Sequence, residues 1–255
     1  MRPLIAGNWK MHGLKADLQE IESIAAFAAR TKPPVDILIC PPATLLAAAA
    51  RTAASRIAVG GQDCDPEASG AHTGDISAEM LKDAGAGAVI VGHSERRQHH
   101  GDTDALVSKK AMAAKRAGLL AILCVGETQQ QRASGSALSV CGGQIVASVP
   151  LGMSASGLAI GYEPLWAIGS GQVPTPQEII HMHAHIRRCL VEHLGVEGRN
   201  VRILYGGSVK PVNARKVLAL PEVGGALVGG ASLKSEEFAA IFASAQQERA
   251  TIAAA

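Results

Sequence analysis

Residues 158–193 read LAIGYEPLWAIGSGQVPTPQEIIHMHAHIRRCLVEH, and this stretch decides the fold. Leu158–Tyr162 is short and continuously apolar, the pattern of a strand buried on both faces. A loop follows, with glycines in its middle and prolines at both ends. Then comes Gln177–His193, where Ile179, Met182, Ile186 and Leu190 fall on one helical face. A strand covered on both sides and followed by a helix implies parallel pairing with its neighbours.

The same unit recurs in both directions. Leu4–Asn8 precedes a helix over Asp17–Arg30, Ile37–Cys40 precedes Thr44–Ala50, and Ile57–Gln62 precedes Ser77–Asp83. Ala88–Gly92 leads to Asp104–Ala117 and Leu119–Val125 to Ala137–Val149. The last two units pair Arg202–Tyr205 with Asn213–Leu220 and Gly225–Val228 with Glu236–Ala245. Eight units over 255 residues predict an α/β chain in one domain, residues 1–255, whose eight parallel strands close into a (β/α)8 barrel. A doubly wound sheet fits less well, because the first strand-to-helix turn, Gly7-Asn8-Trp9-Lys10, lacks the G-x-G-x-x-G phosphate fingerprint. Hydrophobic residues make up 47% of the chain but aromatics only 3%, so the core must be filled by Ala, Val, Ile and Leu, as layered barrel interiors are. Gln246–Ala255 reads as a frayed end.

Charge and cysteine usage exclude several function classes. The net charge is +2, from 24 Lys and Arg against 22 Asp and Glu scattered without a basic stripe, which gives nucleic acid no footprint. No apolar run is long enough for a membrane span or a signal peptide. Cys40, Cys64, Cys124, Cys141 and Cys189 are odd in number and form no C-x-x-C pair, which fits neither a disulfide framework nor a zinc site. A reducing cytoplasm is the expected compartment.

A barrel of this kind carries its active site at the C-terminal ends of the strands. Polar residues gather at five of those ends: Asn8 and Lys10 after the first, His93-Ser94-Glu95-Arg96-Arg97 after the fourth, and Glu163 after the sixth. Gly206-Gly207-Ser208 follows the seventh and Gly229-Gly230-Ala231-Ser232 the eighth. Taken singly these are ordinary: a solvated lysine, a helix-capping serine, glycines in tight turns. Their convergence on one rim is what points to chemistry. The two glycine-rich turns offer unshielded backbone N–H groups, which suit a phosphate dianion. The loop Pro164–Pro174 is lid-like, and an ordinary surface loop would not readily carry Trp166 and Ile168.

In order along the chain, Asn8-Trp9-Lys10, Gly92-His93-Ser94-Glu95-Arg96-Arg97, Cys124-Val125-Gly126-Glu127, Tyr162–Gly169, Tyr205-Gly206-Gly207-Ser208-Val209 and Val228–Leu233 closely resemble the triosephosphate isomerase family. The resemblance implies the TIM barrel and a cofactor-free, metal-free aldose–ketose isomerase of glycolysis and gluconeogenesis. Such an enzyme interconverts dihydroxyacetone phosphate and D-glyceraldehyde 3-phosphate through an enediolate. It also implies roles. Glu163 is the catalytic base, His93 a neutral imidazole that donates to the substrate oxygens, and Lys10 a fixed positive charge. Asn8, Lys10, Gly169, Ser208, Gly229 and Gly230 bind substrate, the backbone N–H groups of the last four holding its phosphate. Glu95 and Cys124 support the site from behind. The loop from Gln62 to Asp75 resembles the family's dimer loop, so Thr73 is expected to enter a second copy of the chain near Asn8 and Lys10.

Four positions depart from the family pattern: Ser170 stands for the usual Thr, Gln172 for a frequent Lys and Gly224 for a frequent acidic residue. Pro174 stands where the family offers an N–H to the tyrosine matching Tyr205. The nearest alternative is a four-carbon ketose-phosphate isomerase of the same family. A catalytically silent barrel is opposed by intact Lys10, His93 and Glu163. A metal site at His181, His183 and His185 is opposed by the lack of a neighbouring acidic ligand, leaving these as exposed helix residues.

Overall fold

The computed structural model describes residues 2–169 and 172–245; Met1, Ser170, Gly171 and the tail 246–255 lie outside the described residues. Eight strands, β1 (Leu4–Asn8), β2 (Asp36–Cys40), β3 (Ala58–Gly61), β4 (Ala88–Val91), β5 (Leu120–Val125), β6 (Leu158–Tyr162), β7 (Arg202–Tyr205) and β8 (Gly225–Val228), pair in parallel and in chain order. β1 also pairs with β8, Leu4 opposite Gly225 and Gly7 opposite Val228, so the barrel closes.

The continuous apolar character of the strands has a direct cause. Leu4, Ala6, Leu38, Cys40, Ala88, Ile90, Ile122, Cys124, Ala159, Leu204 and Leu227 form one cluster inside the barrel. Alternate residues such as Ile5, Ile39, Val89, Leu123 and Ile160 join a second cluster under the helices. Each strand therefore faces apolar surroundings on both sides. The expected strands agree with the observed ones within two residues.

The helices α1 (Leu18–Thr31), α2 (Ala43–Ala53), α3 (Ala78–Asp83), α4 (Ser94–His99), α5 (Asp104–Arg116), α6 (Gln129–Ala133), α7 (Ala137–Ser148), α8 (Pro176–Leu194), α9 (Pro211–Leu218) and α10 (Ser235–Ser244) surround the barrel. Eight match the eight expected. α4 and α6 were not expected, because one to two polar turns, SERRQH and QQQRA, carry no apolar stripe to read. No helix among the described residues is long and apolar enough to cross a membrane.

Candidate active site

At the end of β1 the chain turns through Lys10, whose φ of 55° is left-handed and costs about 1 kcal/mol or more for a residue with a Cβ. Two side chains hold it there. The Asn8 Oδ1 accepts the Lys10 N–H at 3.0 Å, and the Gln62 Nε2 donates to the carbonyls of Lys10 at 2.9 Å and Cys40 at 2.8 Å. The Trp9 indole donates to the Ser232 carbonyl at 2.9 Å, tying this turn to the one after β8. The Lys10 Nζ reaches Glu95 Oε1 at 2.6 Å. Partial burial pushes the Glu95 carboxyl up, but its hydrogen bond to Lys10 and the lysine's charge outweigh this and hold it below the usual range.

After β4, His93 caps α4. Its Nδ1 accepts the Glu95 N–H at 3.3 Å, which puts the ring hydrogen on Nε2. That Nε2 lies 3.0 Å from Glu163 Oε1. Glu163 is 2% exposed and receives two further donors, the Ser94 hydroxyl at 2.9 Å and the Ser94 N–H at 3.0 Å. The carboxylate is thus parked against the start of α4. Its backbone is fixed as tightly: the Glu163 N–H donates to the Val125 carbonyl, and a Cβ on Gly126 would stand 1.9 Å from the Glu163 carbonyl oxygen, so only glycine fits at 126. Cys124 is buried nearby, its thiol pushed well above the ordinary range by burial, with the Glu163 charge adding to the shift.

These groups open onto one cavity of about 480 Å³ at the C-terminal mouth of the barrel, a normal size for a small-ligand site. Asn8, Lys10, His93, Glu163, Gly169, Ser208, Gly229 and Gly230 all line it, as does Ile168 of the lid-like loop. Gly230–Leu233 forms a single helical turn at the rim. Glu95 and Cys124 do not line the cavity but touch residues that do. The charged walls Lys210 and Glu237 were not anticipated, nor were the anchoring roles of Gln62 and Ser94. Among these only Ser94 stood in a readable motif.

Behind the loop lies Glu127, fully buried. It accepts from the Trp166 indole at 2.8 Å, the Tyr162 hydroxyl at 3.1 Å and Arg132 at 3.3 Å. Arg132 also stacks over the Trp166 ring at 4.4 Å and pairs with Glu178 at the start of α8. The expectation for the α8 histidines needs correction at His183, which is buried rather than exposed. It packs between Tyr162 and Tyr205, its Nδ1 3.2 Å from the Glu222 carbonyl, because residue 183 falls on the inward face beside Met182 and Ile186. Burial drives its pKa down to about 4. The described residues bring metal-type ligands together instead at Asp65, His72 and Asp75, on the exposed loop after β3.

Barrel and site together define a class: a closed (β/α)8 barrel whose C-terminal mouth brings a carboxylate, an imidazole, an ammonium and two glycine-rich turns onto one small cavity. Comparison with known proteins gives the particular family. The triosephosphate isomerase family model matches residues 3–245. Triosephosphate isomerase of Afipia carboxidovorans is 59% identical over 242 residues, 94% of this chain and 96% of that one. That of Bradyrhizobium sp. strain BTAi1 is 57% identical over 243 residues, 94% and 97% respectively. The crystal structure of triosephosphate isomerase from Bartonella henselae superposes with a TM-score of 0.90 at 46% identity, covering 96% of this chain and 99% of that one. This chain belongs to the triosephosphate isomerase family. Its reaction is the interconversion of dihydroxyacetone phosphate and D-glyceraldehyde 3-phosphate, a step of glycolysis. The relatives named here are three-carbon isomerases, so the four-carbon alternative gains no support from them.

Proposed function

We propose that Glu163 moves the proton, with His93 and Lys10 stabilising the oxygen that becomes negative as it leaves. The carbon acid beside a carbonyl is very weak, so a base alone is insufficient and the enediolate oxygen needs donors already in place. His93 carries its hydrogen on Nε2, the nitrogen beside Glu163, and both His93 and Lys10 line the same cavity. Glu163 would leave its Ser94 donors, take the proton from one carbon and return it to the next. The backbone N–H groups of Gly169, Ser208, Gly229 and Gly230 would hold the phosphate, and the loop after β6 would close over it and exclude water. Asn8 would act mainly by holding the strained Lys10 backbone. The observation that carries this reading is one cavity lined at once by Glu163, His93, Lys10 and both glycine-rich turns.

The expected homodimer belongs to this proposal: the loop carrying Thr73 is exposed in the single chain, available to a second copy. So does a cytoplasmic location, which suits five free thiols. The eight strands closing one barrel support reading residues 1–255 as one domain.

The test is an isomerisation assay on glyceraldehyde 3-phosphate and on a four-carbon analogue, with Glu163→Gln beside the parent. The variant keeps shape and loses the acceptor, so kcat should fall by roughly 10²–10⁴ with the circular dichroism spectrum unchanged. Retention of more than about a tenth of kcat would assign the base elsewhere. Sedimentation at assay concentration tests the dimer, which a fully active monomer would refute.

A further inference from the structure

Basic side chains that lie far apart in the sequence meet at the opposite end of the barrel from Glu163. Two adjoining cavities open there, of about 660 and 390 Å³, and Arg2, Val35, Ile37 and Arg56 line both, so they form one groove. The larger takes in Leu4, Asp36, Ala58, Ala88, Leu120 and Arg202, each the first residue of a strand. Arg2, Lys32, Arg56, Lys82 and Arg202 supply the positive charge of the groove, and Asp36 is the only carboxylate lining it among the described residues. Asp36 is already engaged: its Oδ1 lies 3.3 Å from the Arg2 Nε, and its Oδ2 accepts from the Arg202 Nη1 at 2.7 Å. The other cations have no acidic partner. Lys82 donates to the Gly118 carbonyl at 3.3 Å, and the side chains of Arg56 and Lys32 make no hydrogen bond or ion pair among the described residues.

Helix ends account for part of this gathering. α1, α2 and α3 all finish beside the groove, but a helix C-terminus carries only roughly half a negative charge, so together they offset less than half of the excess over Asp36. The surplus suits an anion with two or more negative charges. The floor is apolar, with Val35, Ile37, Ile57 and Val59, and the size is that of a small-ligand pocket. A bare ion would use the rim and leave this floor uncovered, whereas an organic body carrying phosphate groups covers both. The chain reaches Arg56 through Ala54 and Ser55, at φ 47° and 59°, successive left-handed residues that cost about 1 kcal/mol or more each. Strain of this kind is held at ligand clamps, and here it sets Ser55 and Arg56 at the groove.

We propose that this groove binds an organic polyphosphate of the nucleoside diphosphate class, its phosphates on Arg56, Lys82 and Arg202 and its ring system on the apolar floor. The guanidinium groups offer the forked donors that phosphate oxygens match. Binding is independent of the substrate cavity, because the two open at opposite ends of the barrel. The loop carrying Thr73 follows the C-terminal end of β3, so the proposed dimer contact would leave the groove uncovered.

The experiment is isothermal titration calorimetry of the full chain with ADP and with inorganic pyrophosphate, without added metal. The parent should bind ADP with a Kd below about 1 mM, and pyrophosphate at least about fivefold more weakly, since it has nothing to lay on the floor. Arg56→Ser and Lys82→Ser should each weaken ADP about tenfold, the effect of losing one charge-assisted hydrogen bond. Both residues are exposed, and unchanged isomerase turnover shows that each variant is folded. Lys10→Met removes the ammonium at the barrel mouth and should leave the ADP affinity of the parent intact, which separates this groove from the substrate cavity. A parent Kd above that limit, pyrophosphate bound as tightly as ADP, unchanged affinity in Arg56→Ser and Lys82→Ser, or loss of ADP binding in Lys10→Met would each overturn the proposal.

Discussion

The two ends of the loop after β6 are anchored in opposite ways. At the β6 end, Leu165–Ala167 forms a helical turn, and Trp166 is held by the buried carboxylate of Glu127 and the guanidinium of Arg132. At the α8 end, Pro174 has no N–H to give, and the buried Tyr205 hydroxyl has no partner among the described residues. The neighbouring Thr175 N–H is not spare, since it donates to Glu178 at 2.7 Å as part of the α8 capping box. The first end is therefore held by a buried charged network, whereas the second is tied nearer the surface through Glu178, which accepts from Thr175 and pairs with Arg132. The loop should pivot against a stiff first hinge, with Tyr205 adding packing rather than a polar contact at the second.

This asymmetry can be broken most strongly at Glu127. Glu127→Ala leaves the Trp166 and Tyr162 donors and Arg132 without their shared acceptor in a buried place, which should cost about 3 kcal/mol or more and lower Tm by about 6–12 °C. Calorimetry checks this, and a shift of less than about 2 °C would show that the network is not the stiff element.

His183, wedged between the tyrosines of the two hinges, gives the next effect, in acid. Its folded pKa of about 4 lies below the ordinary 6.5, so between these values the unfolded chain binds a proton that the folded chain does not. Stability from this group is complete above pH 6.5, falls as pH drops toward 4, and amounts to roughly 3 kcal/mol at most. In His183→Gln, which retains a donor toward Glu222, urea midpoints measured across that pH window should fall less steeply than in the parent. Equal slopes would contradict this.

Trp166→Phe sharpens the comparison in catalysis. It removes one donor to a charged acceptor and weakens the Arg132 stack, so kcat/KM should fall about tenfold. The smallest effect is expected at the other hinge. Tyr205→Phe removes a hydroxyl without a partner, so kcat/KM should stay within about threefold and Tm should not fall. Pro174→Ala restores an N–H, and in that background Tyr205→Phe should become more harmful. The four proteins form a double-mutant cycle, and additivity of the two changes would show that the hinge never uses this bond.

Much of this was readable in the chain, and the reason is that strands, long helices and glycine-rich turns write local signals. Leu158–Tyr162 and the face of Ile179, Met182, Ile186 and Leu190 are short-range patterns, and eight such units admit few topologies. The polar residues Lys10, His93 and Glu163 stood out because each follows a strand. Tertiary structure decided the rest. Glu127 belonged to a motif that is weak in isolation, yet it joins Tyr162, Trp166 and Arg132. Gln62 holds the Lys10 backbone from 52 residues away in sequence. Ser94 read as a helix cap and proves to hold Glu163, 69 residues on. His183 read as exposed because its burial depends on where α8 docks, not on its neighbours in sequence. The sequence alone determined the order of elements and the kinds of group at each strand end, since these follow from nearest-neighbour backbone and side-chain preferences. Which groups touch and which lose their partners were decided only when the barrel closed, because closure brings distant residues within hydrogen-bond range.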